Sequence, residues 1–243
     1  MAVNVDIVYK TVLSVLNKEQ RGYITPSEFN KIATQVQLEI FNEYFNELSQ
    51  QLRIPDNDSE YADHIKEIQE KISVLERDAT CAYNSVGKYF ELTTTPDIVY
   101  RLGTVIYNEE MEVQQVQSNE LLKINLSKLT RPTTQFPIFE YKDYKLYVYP
   151  KTITSLISAT YIKKPEDPVW GFTVGNRGQY IYNPNTYVPG NPPQGSVDFE
   201  LHEKEQTNII LRILMYSGVI IQNPQIIQMA AQQVQAEQIN SKS

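Results

Sequence analysis

The chain has 243 residues, 41% of them hydrophobic, and 22 basic against 29 acidic side chains, for a formal net charge of −7. That apolar content supports a real core in one large domain or two small ones, and the absence of a dense Lys/Arg patch disfavours a protein that grips nucleic acid by its phosphates. The longest apolar run, Ile209 to Ile221, is broken by Arg212 and Ser217 and is shorter than the ~20 residues a bilayer needs; the N-terminus shows no basic-then-apolar leader, and the lone Cys81 has no disulfide partner within the chain.

Val5, Val8, Val12, Val15 and Leu16 recur at helical spacing and predict an amphipathic helix ending near Gly22. Thr25, Pro26 and Glu28 then form the strongest start signal in the sequence: an N-cap, a proline at the first helical position and the acid of a capping box. This second helix is predicted to reach about Leu52, before Pro55. It carries two apolar stripes, Phe29, Ile32, Val36 and Ile40 on one side and Leu38, Phe41, Phe45, Leu48 and Leu52 on another, which point roughly 130° apart at ~100° per residue. One neighbour cannot cover both, so the helix is either the centre of a single bundle or lends its second stripe to an adjacent subunit. A third helix begins near Ser59 with one narrow seam, Tyr61, Ile65, Ile68, Ile72 and Leu75, and is expected on the outside.

From about Lys88 the pattern turns to short β-prone runs: Tyr89–Leu92, Val99–Leu102, Val105–Tyr107, Val113–Val116, Ile138–Tyr141, Leu146–Tyr149 and Ser155–Ile162, with a brief helix at Ser118–Leu126 and a hairpin turn at Lys142–Lys145. Between Lys163 and Ser196 follows a stretch with six of the 13 prolines and five of the nine glycines, together with Trp170, Phe172, Tyr180, Tyr182 and Tyr187. Loops longer than ~12–15 residues usually bind something or are disordered. This arm is predicted to hold its own hairpin around Gly175–Gly178. Helix returns from His202 to Ile221, and Asn223-Pro224 starts a last helix through Ile227, Ala230 and Val234. The fold class expected is α+β: N- and C-terminal helices forming a bundle, with a mostly antiparallel β region and a long Pro/Gly/Tyr-rich arm between them. The corresponding boundaries are 1–87, 88–163, 164–198 and 199–243.

Chemistry finds little to work with. His64 and His202 are the only histidines, and the His202-Glu203 pair has Gln206 where a zinc-protease helix needs its second ligand. Asp56, Asp58, Glu60 and Glu67 imitate a calcium loop, but Tyr61 stands where the turn requires glycine. The glycines at 171, 175 and 178 lack the spacing of a dinucleotide or phosphate loop, Glu109 and Glu110 read as solvated loop acids, and Cys81 reads as a small buried residue. The expectation is a protein that is not an enzyme and holds no cofactor or metal.

Three segments, Arg21-Gly-Tyr-Ile-Thr-Pro-Ser-Glu-Phe-Asn30, Gln37-Leu-Glu-Ile-Phe-Asn-Glu-Tyr-Phe45 and Tyr161-Ile-Lys-Lys-Pro-Glu-Asp-Pro-Val-Trp170, resemble virion structural proteins of crAss-like tailed phages. The order of helical bundle, β region, extended arm and C-terminal helix is similar to head-to-tail adaptor and neck ring proteins. The resemblance implies a homo-oligomeric ring, expected to be a dodecamer, at the portal vertex of the virion, made in the bacterial host cytoplasm. Its partners would be the portal protein and adjacent tail or ring proteins, with DNA passing through the lumen unbound and no membrane contact.

On this reading Trp170, Phe172, Tyr180, Tyr182 and Tyr187 of the arm, with Phe41 and Phe45 of the second helix, are the expected subunit and ring-to-ring contacts, because aromatics bury large area at low entropy cost. The alternative for the arm is that its aromatics fold back on the β region. The alternatives for the whole chain are a tail or baseplate structural component, and a phage-encoded binding module acting in the host cytoplasm.

Overall fold

The computed structural model describes residues 2–18, 23–51, 59–92, 98–185, 195–220 and 231–235. Tyr187, the acidic run at Asp56 and Asp58, the helix end at Leu52 and the Asn223-Pro224 helix start lie outside the described residues. The fold is mixed α+β, and the chain divides into two compact units: residues 1–74 with 165–243, and residues 75–164.

The helical unit contains α1 (Val5–Lys18), α2 (Pro26–Gln51), α3 (Ser59–Ser73) and α5 (Gln206–Ile220), the last entered through a short 3-10 turn at Glu203–Glu205. The start of α2 is as its sequence dictates. The Glu28 backbone N–H donates to Thr25 Oγ1 at 3.3 Å, and the Glu28 carboxylate accepts from the Thr25 N–H at 2.9 Å and from its hydroxyl at 2.7 Å. These bonds hold the Glu28 carboxyl below its ordinary pKa. The first stripe of α2, Phe29, Ile32, Val36 and Ile40, is buried, and α2 packs on both α3 and α5. Two neighbours from its own chain thus lie against it. Phe41 of the second stripe is buried as well, while Leu38, Phe45 and Leu48 are only half-buried.

The second unit opens with β1 (Glu76–Asn84), followed by β2 (Tyr89–Leu92), β3 (Val99–Tyr107), β4 (Met111–Glu112), β5 (Gln114–Gln115), α4 (Ser118–Leu126), β6 (Ile138–Lys142), β7 (Lys145–Tyr149) and β8 (Ile157–Lys163). Strand structure therefore begins at Glu76, well before the expected change at Lys88. The apolar alternation of β1 runs through Ala79, Cys81 and Tyr83, too small and polar a set to announce a strand. The two β-prone runs on either side of Gly103 are one strand, β3, with register shifts between Val99 and Arg101 and between Leu102 and Val105. Gly103 fits the second irregularity because a Cβ there would stand 2.6 Å from Thr160 Oγ1, the atom that accepts the Thr104 N–H at 2.9 Å.

Strand order is β4-β3-β8-β1-β2-β7-β6-β5. β1 pairs β8 through its first half and β2 through its second. Only Val113 separates β4 from β5, so the two ends of this order belong to one run of chain, paired antiparallel to β3 at its start and parallel to β6 at its end. Counting that run once, the eight strands become seven and the sheet closes on itself. Closure removes the free edges that would otherwise invite aggregation. Phe90, Val105, Val113, Phe139, Leu146 and Ile157 fill the interior.

Thr25→Ala removes both hydroxyl bonds of the α2 start and is expected to cost about 1 kcal/mol at neutral pH. Glu28 has a lowered folded-state pKa, so its contribution is present above its unfolded pKa and is lost as pH falls through the folded one. The gap between wild type and Thr25→Ala in urea unfolding should narrow across the acid range.

Candidate functional site

Three places in the described structure gather side chains in a way that burying a core does not require. The first is the arm. Residues Phe172–Val174 (β9) and Tyr180–Tyr182 (β10) form the expected hairpin, with Tyr180 opposite Val174 and Tyr182 opposite Phe172. The described residues of this segment group with the helical unit. Trp170 is buried, 4.4 Å between ring centroids from Tyr9 of α1, and stacks on Phe172 at 6.0 Å and Tyr182 at 5.5 Å.

Polar groups fix this seat. The Trp170 N–H donates to Asn30 Oδ1 at 2.8 Å, Asn30 Nδ2 donates back to the Trp170 carbonyl at 3.3 Å, and the indole Nε1 donates to Asp6 at 3.1 Å. Gly171 lies so close to the returning chain that a Cβ on it would be 1.8 Å from the Gly195 carbonyl oxygen. The Tyr9 hydroxyl donates to the Ile24 carbonyl, and burial pushes its pKa far above the ordinary tyrosine value. Trp170 and Phe172 are therefore covered by residues of their own chain. The indole has a hydrogen-bond partner and stacked rings within the monomer, so burying it there leaves nothing unsatisfied. Tyr182 is half-buried, whereas Tyr180, Val174 and Ile181 are exposed along the hairpin. Phe41 is likewise buried, 5.1 Å from the half-buried Phe45 in an edge-on contact.

The second place is a polar cavity of about 240 Å³ within the helical unit, lined by Glu43, Tyr44, Lys71, Glu205, Asn208 and Arg212 among others. Lys71 Nζ is 3.0 Å from Glu205, and Asn208 Nδ2 donates to the other Glu205 oxygen at 3.0 Å. Arg212 makes a bidentate pair with Glu43 at 3.0 and 2.5 Å, and its Nε donates to Asn208 at 2.8 Å. Burial works against the charge of Lys71, but the surrounding carboxylates, Glu205 foremost with Glu67 and Glu47, together outweigh it and the lysine pKa rises. The Tyr44 hydroxyl is buried near Glu205 without a well-formed hydrogen bond among the described residues; burial first and Glu205 second keep it protonated. With Glu205 and Arg212 occupied by partners on both sides, the cluster ties α2, α3 and α5 together. His202 accepts the Lys204 N–H at the 3-10 turn. The Cys81 thiol is half-buried, and burial pushes its pKa up to about 12. Among the described residues no group of three or more His, Cys, Asp or Glu is placed to hold a metal ion, and no helix is long and apolar enough to cross a membrane.

The third place was invisible to sequence reasoning: the outer face of α4 and the loop behind it, where Leu122, Leu126, Leu129 and Phe136 are exposed. The leucine spacing could have signalled it, but a nine-residue helix with apolar residues at consecutive positions does not reveal which face is inward. Searches against protein-family models and against curated proteins return no match to this chain.

Trp170 is the only tryptophan, so its fluorescence reports the seating of the arm. Asn30→Ala should lower stability by about 1–3 kcal/mol by orphaning the Trp170 backbone groups. Gly171→Ala should cost about 1–3 kcal/mol through overpacking against the Gly195 carbonyl. Both shifts are readable as an earlier red-shift of emission in urea, and an unchanged midpoint for both variants would contradict the seat described.

Proposed function

We propose that this chain is a virion structural protein of a tailed phage, a head-to-tail connector whose copies assemble into a ring at the portal vertex. The observation that carries this reading is that each unit leaves an apolar surface uncovered: the β9–β10 hairpin with Val174, Tyr180 and Ile181 in one, and the α4 face with Leu122 and Leu126 in the other. Heterologous contacts use two different surfaces of the same chain and close into a ring when the rotation per copy divides a full turn. Exposed apolar patches of this kind mark interaction sites in soluble proteins.

The resemblance of the segments at 21–30, 37–45 and 161–170 to virion structural proteins, and of the order of elements to adaptor and neck ring proteins, supports the same reading. Under it, the helices from both ends of the chain form a bundle, and the arm serves as a clamp on that bundle whose hairpin reaches a neighbour. Residues Tyr180, Tyr182 and Ile181 then carry the contact, with Trp170 and Phe172 as its rigid footing. An acidic chain lining a passage repels DNA, which suits transit rather than capture. The ring would meet the portal and the next tail component through its two faces.

The test is the mass of the purified protein in solution together with its detection in purified phage particles. A closed oligomer, dodecameric on this reading, and presence in particles are expected; a monomer at all concentrations that is absent from particles overturns the proposal. Deleting the whole arm would strip Tyr9 of its Trp170 contact, so the informative variant is Val174→Ser with Ile181→Ser. It should leave far-UV circular dichroism unchanged and weaken assembly at least tenfold.

A further inference from the structure

Resting on that ring reading, we infer that the outer face of α4 and the loop behind it form a docking surface whose occupant is the acidic helical unit of a second copy of this chain. The surface is built, not frayed. The Gln117 N–H donates to the Glu120 carboxylate at 3.1 Å, and the Ser118 hydroxyl donates to Glu140, whose carboxyl is held below its ordinary pKa by Lys142 first and Ser118 second. The inner face of the helix packs Leu121 and Ile124 against Val116 and Ile138. Behind the helix, the Thr130 hydroxyl donates to the Ile124 carbonyl at 3.1 Å, and Thr133 and Phe136 exchange backbone bonds that close a tight turn.

On this anchored platform Leu122 is 70% exposed, Leu126 85%, Leu129 97% and Phe136 77%. Leu122 and Leu126 stand one turn apart on one face of α4. Isolated exposed leucines need no explanation, but four large apolar groups within fifteen consecutive residues on tied-down backbone form a patch that water alone does not favour.

Charge selects the occupant. Lys123, Lys128 and Arg131 are exposed among these leucines and Glu120 is the one acid from Ser118 to Phe136, so the segment carries a net +2 in a chain of net −7. The contrast extends to the units. Residues 75–164 hold 11 Lys/Arg against 10 Asp/Glu, net +1, which leaves 11 against 19, net −8, for the helical unit. The chain thus carries both halves of a complementary pair, and a second copy brings its acidic half to α4 in the head-to-tail sense a ring needs. Phosphates would engage the three cations but offer nothing to four apolar side chains, so a nucleic acid is the weaker match.

Equal parts of unlabelled and 15N-labelled protein, assembled and treated with a carbodiimide that joins lysine amines to carboxylates without a spacer, report the occupant directly. Mixed-isotope cross-links from Lys123 or Lys128 to acids within residues 1–74 or 165–243 are expected. Two variants, Leu122→Ser/Leu126→Ser/Leu129→Ser and Lys123→Glu/Lys128→Glu/Arg131→Glu, should each keep the wild-type circular dichroism, because the residues changed are exposed, and weaken self-association at least tenfold in sedimentation velocity. If rings form and both variants assemble like wild type, this inference fails while the ring reading stands. If wild-type protein neither self-associates nor yields mixed-isotope cross-links in particles, both fail. Cross-links running from Lys123 and Lys128 to a different virion protein, or protection of these lysines by added duplex DNA alone, would overturn the choice of occupant.

Discussion

One buried amide holds the helical unit to itself. The chain leaves this unit after Val74 and re-enters it at Pro165, so α2 must recognise a strand of backbone that arrives from more than a hundred residues away. Gln37, 1% exposed on α2, does so with both ends of its side chain: Nε2 donates to the Glu166 carbonyl at 2.6 Å and Oε1 accepts the Glu200 N–H at 3.0 Å. The Glu200 carboxylate in turn accepts the Glu166 N–H at 2.8 Å. The two ends of the arm are thereby set side by side, and the seating of Trp170 on Asn30 and Tyr9 follows from where they start. An apolar side chain at position 37 would bury as well but would leave two backbone groups without partners, which is why the position is polar in the middle of a helix core.

Around that fixed point the polar contacts repeat a theme. Asn4 and the Val5 N–H reach Asp198, Val3 bridges Phe199, and Val169 bridges Val197. Each contact joins the first or second helix, or the segment before them, to the chain between residues 165 and 200, or joins that segment to itself. The result is that the described part of a stretch rich in proline and glycine is held by side-chain amides and carboxylates together with two isolated backbone bridges and one short hairpin. The aromatic rings then cover the seam, which explains how so polar a composition becomes part of a compact unit.

What could be read from the residues differs by kind. The α2 start was legible because Thr25, Pro26 and Glu28 act within one turn, and the bounds of α4, β2, β9 and β10 follow from equally local patterns. Partnership was not. Periodicity identifies Phe41 and Trp170 as groups that must be covered and is silent on what covers them; here Phe41 is buried within the chain and Trp170 is covered by α1. β1 escaped because Ala79 and Cys81 carry little hydrophobic signal, and the closed sheet escaped because it depends on Val113 joining two two-residue strands whose partners are β3 and β6. The α4 surface was hidden by consecutive leucines, Leu121 and Leu122, of which one points in and the other out.

The strands that carry the chain into and out of the β unit are hydrogen-bonded neighbours, with Glu76 opposite Ile162 and the Lys163 N–H donating to the Leu75 carbonyl at 3.0 Å. The first and last residues of the inserted unit thus lie side by side. Such a junction makes the insert a cassette: its length, loops and surface can diverge through the course of evolution, or be exchanged for another body with adjoining ends, without altering the spacing of the two points at which the host chain is cut. Adaptation to new neighbours can then proceed in one half of the molecule while the other keeps its architecture.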